Sequence, residues 1–436
     1  MIVKVILTIF YLLLFNLLIH KYRKFQFSIF KPWITHLVFN LKFVVGIFIW
    51  MIYTFYYTDV QQNDIHKFYD DAAELHFIKT ESPATFWRLM TGVSMKPEDA
   101  GKLSQLKNWN RNFDEAPINE NRTIIRLNAW LLFLSFKTYP VHILFMCFIS
   151  LVGLILLTDS IFQFVEPKAS ILSLFVLFTP SVLFWTSGVM KEPLLMLGLG
   201  LFVSGAIHLR FQAWKFRHVI GWLLGSVLIL FTKFFVLACL VPSTLAFFLF
   251  KKNESGRFVF LKYAGISGLL LIAALNIQHL VPGVNLQKML LNKQAHSIKE
   301  AEYHHAGSRI EIPELTSSPI SLIKAAPVAL WNTIVRPWVW ESKNVMMLAS
   351  AVENMLMLLF LILCISSTDW GARKNLDLFL FLLFSALAYF VLIGIATPVI
   401  GNLVRYKAPL LPLFMFAFIL RVRSNMIADN LKFVLR

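Results

Sequence analysis

Long apolar runs separated by short polar gaps dominate this chain. About eleven can be read: residues 3–18, 37–57, 141–157, 171–185, 194–207, two within 219–250, one ending near 277, and 345–365, 378–395 and 409–420. A helix needs roughly 17–25 apolar residues to cross a bilayer. Inside lipid it must also satisfy its own backbone hydrogen bonds. The pattern therefore predicts an all-α, polytopic transmembrane bundle of about eleven spans, forming one integral membrane domain over residues 1–436.

Two gaps are much longer than the rest, residues 58–125 and 279–344, and they carry most of the polar side chains. Short interfacial helices are expected in both; residues 124–136 have the mixed character of one. The remaining gaps are short and basic, at 21–31, 210–217, 251–262 and 369–374, with a basic tail from Arg421. Lysine and arginine accumulate on the cytoplasmic side of short loops. That bias puts these gaps inside and makes 58–125 and 279–344 the two extracytoplasmic loops. Residues 3–18 have no small-residue cleavage site before the basic run that follows, and read as a retained anchor.

Composition narrows the class. Hydrophobic residues make up 58% of the chain and mean hydropathy is +0.67, well above the ~45–50% apolar content of soluble domains. The net charge of +17 would suggest nucleic acid in a soluble protein, but here the cations sit as topology signals between apolar runs. Nucleic acid is not an expected partner; the bilayer and anionic lipid head groups are. Cys147, Cys239 and Cys364 lie inside apolar runs without CxxC spacing, and read as small buried hydrophobes. There is no P-loop, no GxGxxG and no GxSxG elbow.

Three clusters carry candidate chemistry. The first loop opens with Asp59, Asp64, Asp70 and Asp71, close to a membrane exit; in a helix Asp64, Phe68 and Asp71 share a face. A partly desolvated carboxylate there suits a general base, while the same acids equally suit a solvated loop helix. The second cluster is Lys191-Glu192, set between two apolar runs with almost no loop. Ionisable groups at membrane depth are usually functional: Lys191 is a candidate phosphate ligand and Glu192 an orienting group or base, and the plain alternative is a hairpin turn. The third is Gly401-Asn402 with Arg405-Tyr406-Lys407, where the guanidinium fork matches phosphate oxygens. Lys233 and Arg336 are further cations on the same predicted outer side, against the topological bias. Together with Lys191 and Arg405 they would make an electropositive outer cleft. Trp331, Trp338 and Trp340 read first as interface anchors, with sugar stacking as the sharper alternative. His304-His305 with Glu300 and Glu302 have metal-ligand chemistry but no metal-site spacing, so no protein-built metal site is expected.

These residues resemble the GT-C-type membrane glycosyltransferases, in particular the divergent polytopic proteins of bacterial surface-polysaccharide loci. Asn63-Asp64 with Phe68-Tyr69 and Ala72 is similar to that family's acidic first-loop motif. Ser187-Gly188 with Lys191-Glu192 resembles a motif of its bacterial members. Gly401-Asn402 with Arg405-Tyr406 and Pro409 resembles their late Arg-Tyr motif, which polysaccharide polymerases also share. The adjacent Asp-Glu of several such families is absent, and one extra span precedes the acidic loop. The resemblance implies an enzyme of the bacterial inner membrane that uses a polyprenyl-phosphate- or pyrophosphate-linked sugar donor and a glycan or lipid acceptor. It implies Asp64 as the base, and Lys191, Lys233, Arg336, Arg405 and Tyr406 around the donor phosphate. A divalent cation, Mg²⁺ or Mn²⁺, between carboxylate and phosphate is compatible with this chemistry. The rival readings are a polymerase- or ligase-like enzyme moving a whole lipid-pyrophosphate glycan, and a flippase or transporter, for which charges at mid-membrane are expected.

Overall fold

The computed structural model describes residues 2–56, 64–92, 96, 99–109, 119–212, 214–250, 258–276, 285–303, 307–316, 318–368 and 375–423; the side chain of Asp64 lies outside the described residues. The chain is all-helical, with 81% helix and no strand among the described residues. In order the α-helices are α1 (Ile2–Lys21), α2 (Pro32–Met51), α3 (Asp64–Glu81), α4 (Pro83–Thr91), α5 (Ala100–Leu103), α6 (Glu120–Ser135), α7 (Tyr139–Phe162), α8 (Ser173–Leu177), α9 (Pro180–Trp185) and α10 (Glu192–Phe211). They continue with α11 (Phe216–Thr232), α12 (Phe234–Leu249), α13 (Val259–Leu275), α14 (Leu286–Tyr303), α15 (Pro319–Val335), α16 (Val345–Ser366), α17 (Leu376–Ala396), α18 (Ile400–Lys407) and α19 (Leu411–Ile419). Helices α2, α4, α7, α9, α10, α15 and α19 each carry proline in the first turn. There the missing N–H costs nothing and the fixed φ is already helical.

Six helices are long and apolar enough to cross a membrane: α1, α2 with its continuation to Tyr56, α7, α10, α16 and α17. Their length and composition place the protein in a lipid bilayer. The centre is α7, α10 and α17, each 72% buried over its apolar window, whereas α1 at 11%, α2 at 28% and α16 at 33% form the rim. Rim residues such as Phe10, Leu13, Val44, Phe48, Leu359 and Ile362 are exposed on the protein surface, as suits side chains whose solvent is lipid. The core pair α7–α10 approaches backbone to backbone. A Cβ on Gly200 would stand 2.2 Å from the Gly153 carbonyl oxygen, so no larger residue fits.

Of the other five expected spans, α11, α12 and α13 are apolar helices of 17, 16 and 17 residues, about 24–26 Å long at 1.5 Å per residue. The run 171–185 is not one helix. It divides into a 3₁₀ turn (Ala169–Leu172), α8 and α9, because Pro180 forces the preceding Thr179 out of helical geometry, to φ −57 and ψ 119. The run 409–420 yields only α19, nine residues, about 14 Å and buried almost throughout.

The stretch 279–344 also differs from a simple loop. Its α15 is apolar and lies along α17, with Ala325 and Ala329 buried against it. A Cβ on Gly394 would come within 2.2 Å of the Ala329 carbonyl oxygen, and the Thr333 hydroxyl donates to the Phe390 carbonyl. Small residues spaced four apart let the two backbones meet, so α15 joins the bundle. Similarly, α6 is no isolated surface helix: its apolar face packs on α3 and α11.

Candidate functional site

The site grows from the start of α10. The segment before it, residues 186–191, lies buried between α2 and α7, where its polar groups need protein partners in place of water. Lys42 of α2 donates to the Thr186 hydroxyl, Ser150 of α7 donates to the Thr186 carbonyl at 2.7 Å, and the Cys147 thiol donates to the Ser187 carbonyl. This bracing delivers Lys191 and Glu192 to a fixed position, with Glu192 in the first turn of α10, where the helix dipole favours a negative charge.

Glu192 is fully buried. Arg405 of α18 grips both its oxygens, Nε to Oε1 at 2.8 Å and Nη2 to Oε2 at 3.4 Å. Lys233, at the tip between α11 and α12, adds a contact to Oε1 at 3.3 Å. The Lys191 ammonium reaches a second carboxylate, Glu120 of α6, at 3.3 Å. The other oxygen of Glu120 accepts from the Phe234 backbone N–H at 3.2 Å, just beyond Lys233. Aromatic rings flank the cations: Lys233 lies 4.4 Å over Tyr406, Arg405 lies 5.5 Å over Trp185, and Lys191 lies 5.5 Å over Phe68 of α3. Glu120, Lys191, Glu192, Lys233, Arg405 and Tyr406, with Lys293 of α14 and Tyr389 of α17, line a cavity of about 60 Å³.

Among the described residues four cations and two carboxylates face this small cavity, Lys191, Lys233, Lys293 and Arg405 against Glu120 and Glu192. These described side chains carry an excess of positive charge. Buried and bordered by preorganised donors, the cavity suits a compact anion such as a phosphate group. On its other flank Arg405 also borders a larger cleft of about 370 Å³ between α9, α16, α18 and the end of α2.

The structure brings Lys191, Glu192, Lys233, Arg405 and Tyr406 together on the small cavity, whereas Arg336, Asp70 and Asp71 stand apart from it. Arg336 follows α15, with its guanidinium 3.3 Å from Glu341, and does not line the cavity. Neither do Asp70 and Asp71. Asp71 is buried, and both its oxygens accept from Asn108, from the backbone N–H at 2.8 Å and the side chain at 3.3 Å. It ties the turn near 108 to α3. Burial raises the pKa of both acids, against the pull of His66 and Lys107 on Asp70 and of the Asn108 hydrogen bonds on Asp71. Asp64 opens α3, one turn before Phe68, the residue beneath Lys191. Asp59, His304 and His305 lie outside the described residues, as does the basic gap from Lys251 to Gly256. Glu300 faces His296 at 3.5 Å and Glu302 pairs with Arg309 at 3.1 Å. Among the described residues no three His, Cys, Asp or Glu side chains are grouped to hold a metal ion.

Sequence reasoning missed Glu120 and Lys293 in this site. Lys407, a cation of the third sequence cluster, does not line the cavity: its buried ammonium donates to the carbonyls of Thr333 and Arg336 and to Asn354, capping the end of α15 and fastening α18 to it. Comparison with known protein families, curated proteins and solved structures finds no match for the chain. Fold and site define an all-helical membrane protein with a buried, cation-rich cavity where α6, α10, α12, α17 and α18 meet.

Proposed function

We propose that this protein is a membrane glycosyltransferase that moves a sugar from a polyprenyl-phosphate- or pyrophosphate-linked donor to an acceptor on the extracytoplasmic face of a bacterial inner membrane. The supporting observation is the convergence of Lys191, Lys233 and Arg405, far apart in sequence, on one buried cavity with Lys293. In this reading α11, α12 and α13 also cross the bilayer beside the six long helices, and the small cavity lies toward the outer leaflet.

The acceptor oxygen attacks the anomeric carbon while the bond from that carbon to the phosphate oxygen breaks. The phosphate departs with the electron pair, and Arg405, Lys233 and Lys191 neutralise the charge that develops, the largest kind of contribution such sites make. The proton of the acceptor hydroxyl goes to a carboxylate, for which Asp64 is the choice by resemblance and by its position one turn from Phe68. Glu192 and Glu120 hold the cations in place. A second reading, a polymerase- or ligase-like enzyme acting on a lipid-pyrophosphate glycan, draws support from the engagement of Glu120 and Glu192 by cations, which leaves the cations of the cavity to meet the substrate.

The test is to delete the gene and identify the lipid-linked glycan that accumulates, then restore it with wild type or Arg405→Ala. Accumulation of one lipid-linked sugar that wild type alone clears supports the reading. An unchanged lipid-linked pool, with the polysaccharide intact, removes it.

A further inference from the structure

The larger cleft beside Arg405 is not used by the phosphate argument, and its lining mixes aliphatic side chains such as Ile52, Met346 and Val399 with aromatic and polar ones. Its walls carry the aromatic rings of Tyr53, Phe184 and Trp185, and the polar groups of Asn402 and Glu353. Glu353 lies within α16, one of the six long apolar helices. A carboxylate inside such a helix is costly and marks function by default. One of its oxygens accepts from the backbone N–H of Ser181 at the start of α9, at 2.9 Å, which fixes the carboxylate at the cleft wall. An alkyl chain in this place would gain apolar contact but would offer Glu353 and Asn402 no hydrogen bond for the water it displaces. A volume of about 370 Å³ falls in the ~300–1,000 Å³ range of small-molecule sites, in which apolar walls supply area and a few polar groups set orientation.

We infer that this cleft is the sugar-binding compartment of the donor: the phosphate lies on the small cavity, Arg405 stands at the junction, and the glycosyl ring lies among Trp185, Phe184 and Tyr53 with a hydroxyl donating to Glu353. The inference rests on the proposed phosphate cavity and adds Glu353 as a specificity-determining residue. Aromatic side chains offer flat apolar faces with polar edges, which suits a ring whose C–H groups and hydroxyls point in different directions. A ring hydroxyl meeting a half-buried carboxylate makes a charge-assisted hydrogen bond.

The experiment measures equilibrium binding to the full chain in lipid nanodiscs. The probes are dodecyl phosphate and a panel of dodecyl phosphates carrying glucose, galactose, mannose, N-acetylglucosamine or arabinose. The proteins are wild type, Glu353→Gln, Ser350→Trp and Arg405→Ala. Ser350 lines the cleft, so tryptophan there fills it without touching the phosphate cavity. Glutamine at 353 keeps an oxygen for Ser181.

We expect at least one glycosyl phosphate to bind wild type about tenfold more tightly than dodecyl phosphate, the scale of one hydrogen bond to a charged group. Glu353→Gln and Ser350→Trp should lose that increment while binding dodecyl phosphate as wild type does, which also shows that they are folded. If every glycosyl phosphate binds within about twofold of dodecyl phosphate, or if both variants keep the increment, the sugar compartment is refuted while the phosphate cavity stands. If dodecyl phosphate binds wild type and Arg405→Ala alike, the phosphate cavity itself falls and the compartment with it.

Discussion

Replacing Glu192 by glutamine tests the cavity directly, because it removes one negative charge and keeps the shape. In the folded protein this carboxylate is wholly buried and meets Arg405 through two contacts, at 2.8 and 3.4 Å, and Lys233 at 3.3 Å. Removing one partner of a buried ion pair costs about 3–5 kcal/mol, because the remaining charge is left in a poor solvent. Glutamine keeps one acceptor oxygen, so the loss should fall toward the lower end of that range. If the cavity binds phosphate, an added anion should return part of the loss. At one hundred times its dissociation constant a ligand stabilises by about 2.7 kcal/mol. The assay is thermal unfolding of the detergent-solubilised protein with and without inorganic phosphate, with chloride at matched ionic strength as control. Glu192→Gln should unfold earlier than wild type and gain more from phosphate than wild type does. Equal gains in the two proteins, or no gain in either, would refute the idea that the charge excess of the cavity is what an anion recognises.

Three further outcomes follow from other parts of the molecule. Cysteine at Gly101, where a side chain meets nothing within 4 Å, should label with an impermeant thiol reagent in intact cells, and cysteine at Lys215 should not; the reverse would invert the proposed topology. Gly394→Ala should destabilise by about 1–3 kcal/mol through overpacking against Ala329, measured by chemical unfolding, with Gly221→Ala as the neutral control in open space. Arg88 holds Asp99 well below the usual carboxylate range. A depressed acid contributes stability above its unfolded pKa, ~3.9, and loses it as pH falls through the lower folded value. Hydrogen exchange near residues 99–106 should therefore stay equally protected from pH 7 to pH 5 after correction for intrinsic rates, while Asp99→Asn loses protection at both.

Much of the architecture is legible because membrane helices write themselves as apolar runs. The boundaries the pattern misplaces have local causes. Pro180 divides 171–185 by acting on Thr179, a rule that reads directly from sequence once the proline is taken as stronger evidence than the apolar run around it. The α15 helix hides in a polar-looking stretch because its packing face is made of Ala325, Ala329 and Thr333, residues whose smallness matters only opposite Gly394. In the site, Lys191, Glu192, Lys233 and Arg405 are visible because each is an ion beside an apolar run. Glu120 is not, since it is one acid among many in residues 58–125, and only the docking of α6 beside the α11–α12 tip buries it. Glu353 and Lys42 carry the opposite lesson: both stand inside long apolar helices, and that position alone marks them out.

The same reasoning bears on why the cavity exists. Ion pairs withdrawn from water are weak evidence of stabilisation, because hydrophobic residues of equal volume often hold a fold as well or better. A purely structural junction of α6, α10, α12, α17 and α18 would need none of Glu120, Lys191, Glu192, Lys233 or Arg405. Instead, among the described residues, five ionised side chains converge there, with a sixth, Lys293, on the wall, cations outnumbering carboxylates and aromatic rings flanking three of the cations. The two glutamates lower the cost of gathering cations that would otherwise repel one another, and they fix each cation's direction by hydrogen bonds. Preorganised charge of this kind needs little rearrangement when an anion arrives. The aromatic neighbours, Phe68, Trp185 and Tyr406, tie that charge to α3, α9 and α18 in turn. Trp185 also faces the larger cleft, so the geometry of the cations is coupled to whatever ring lies there.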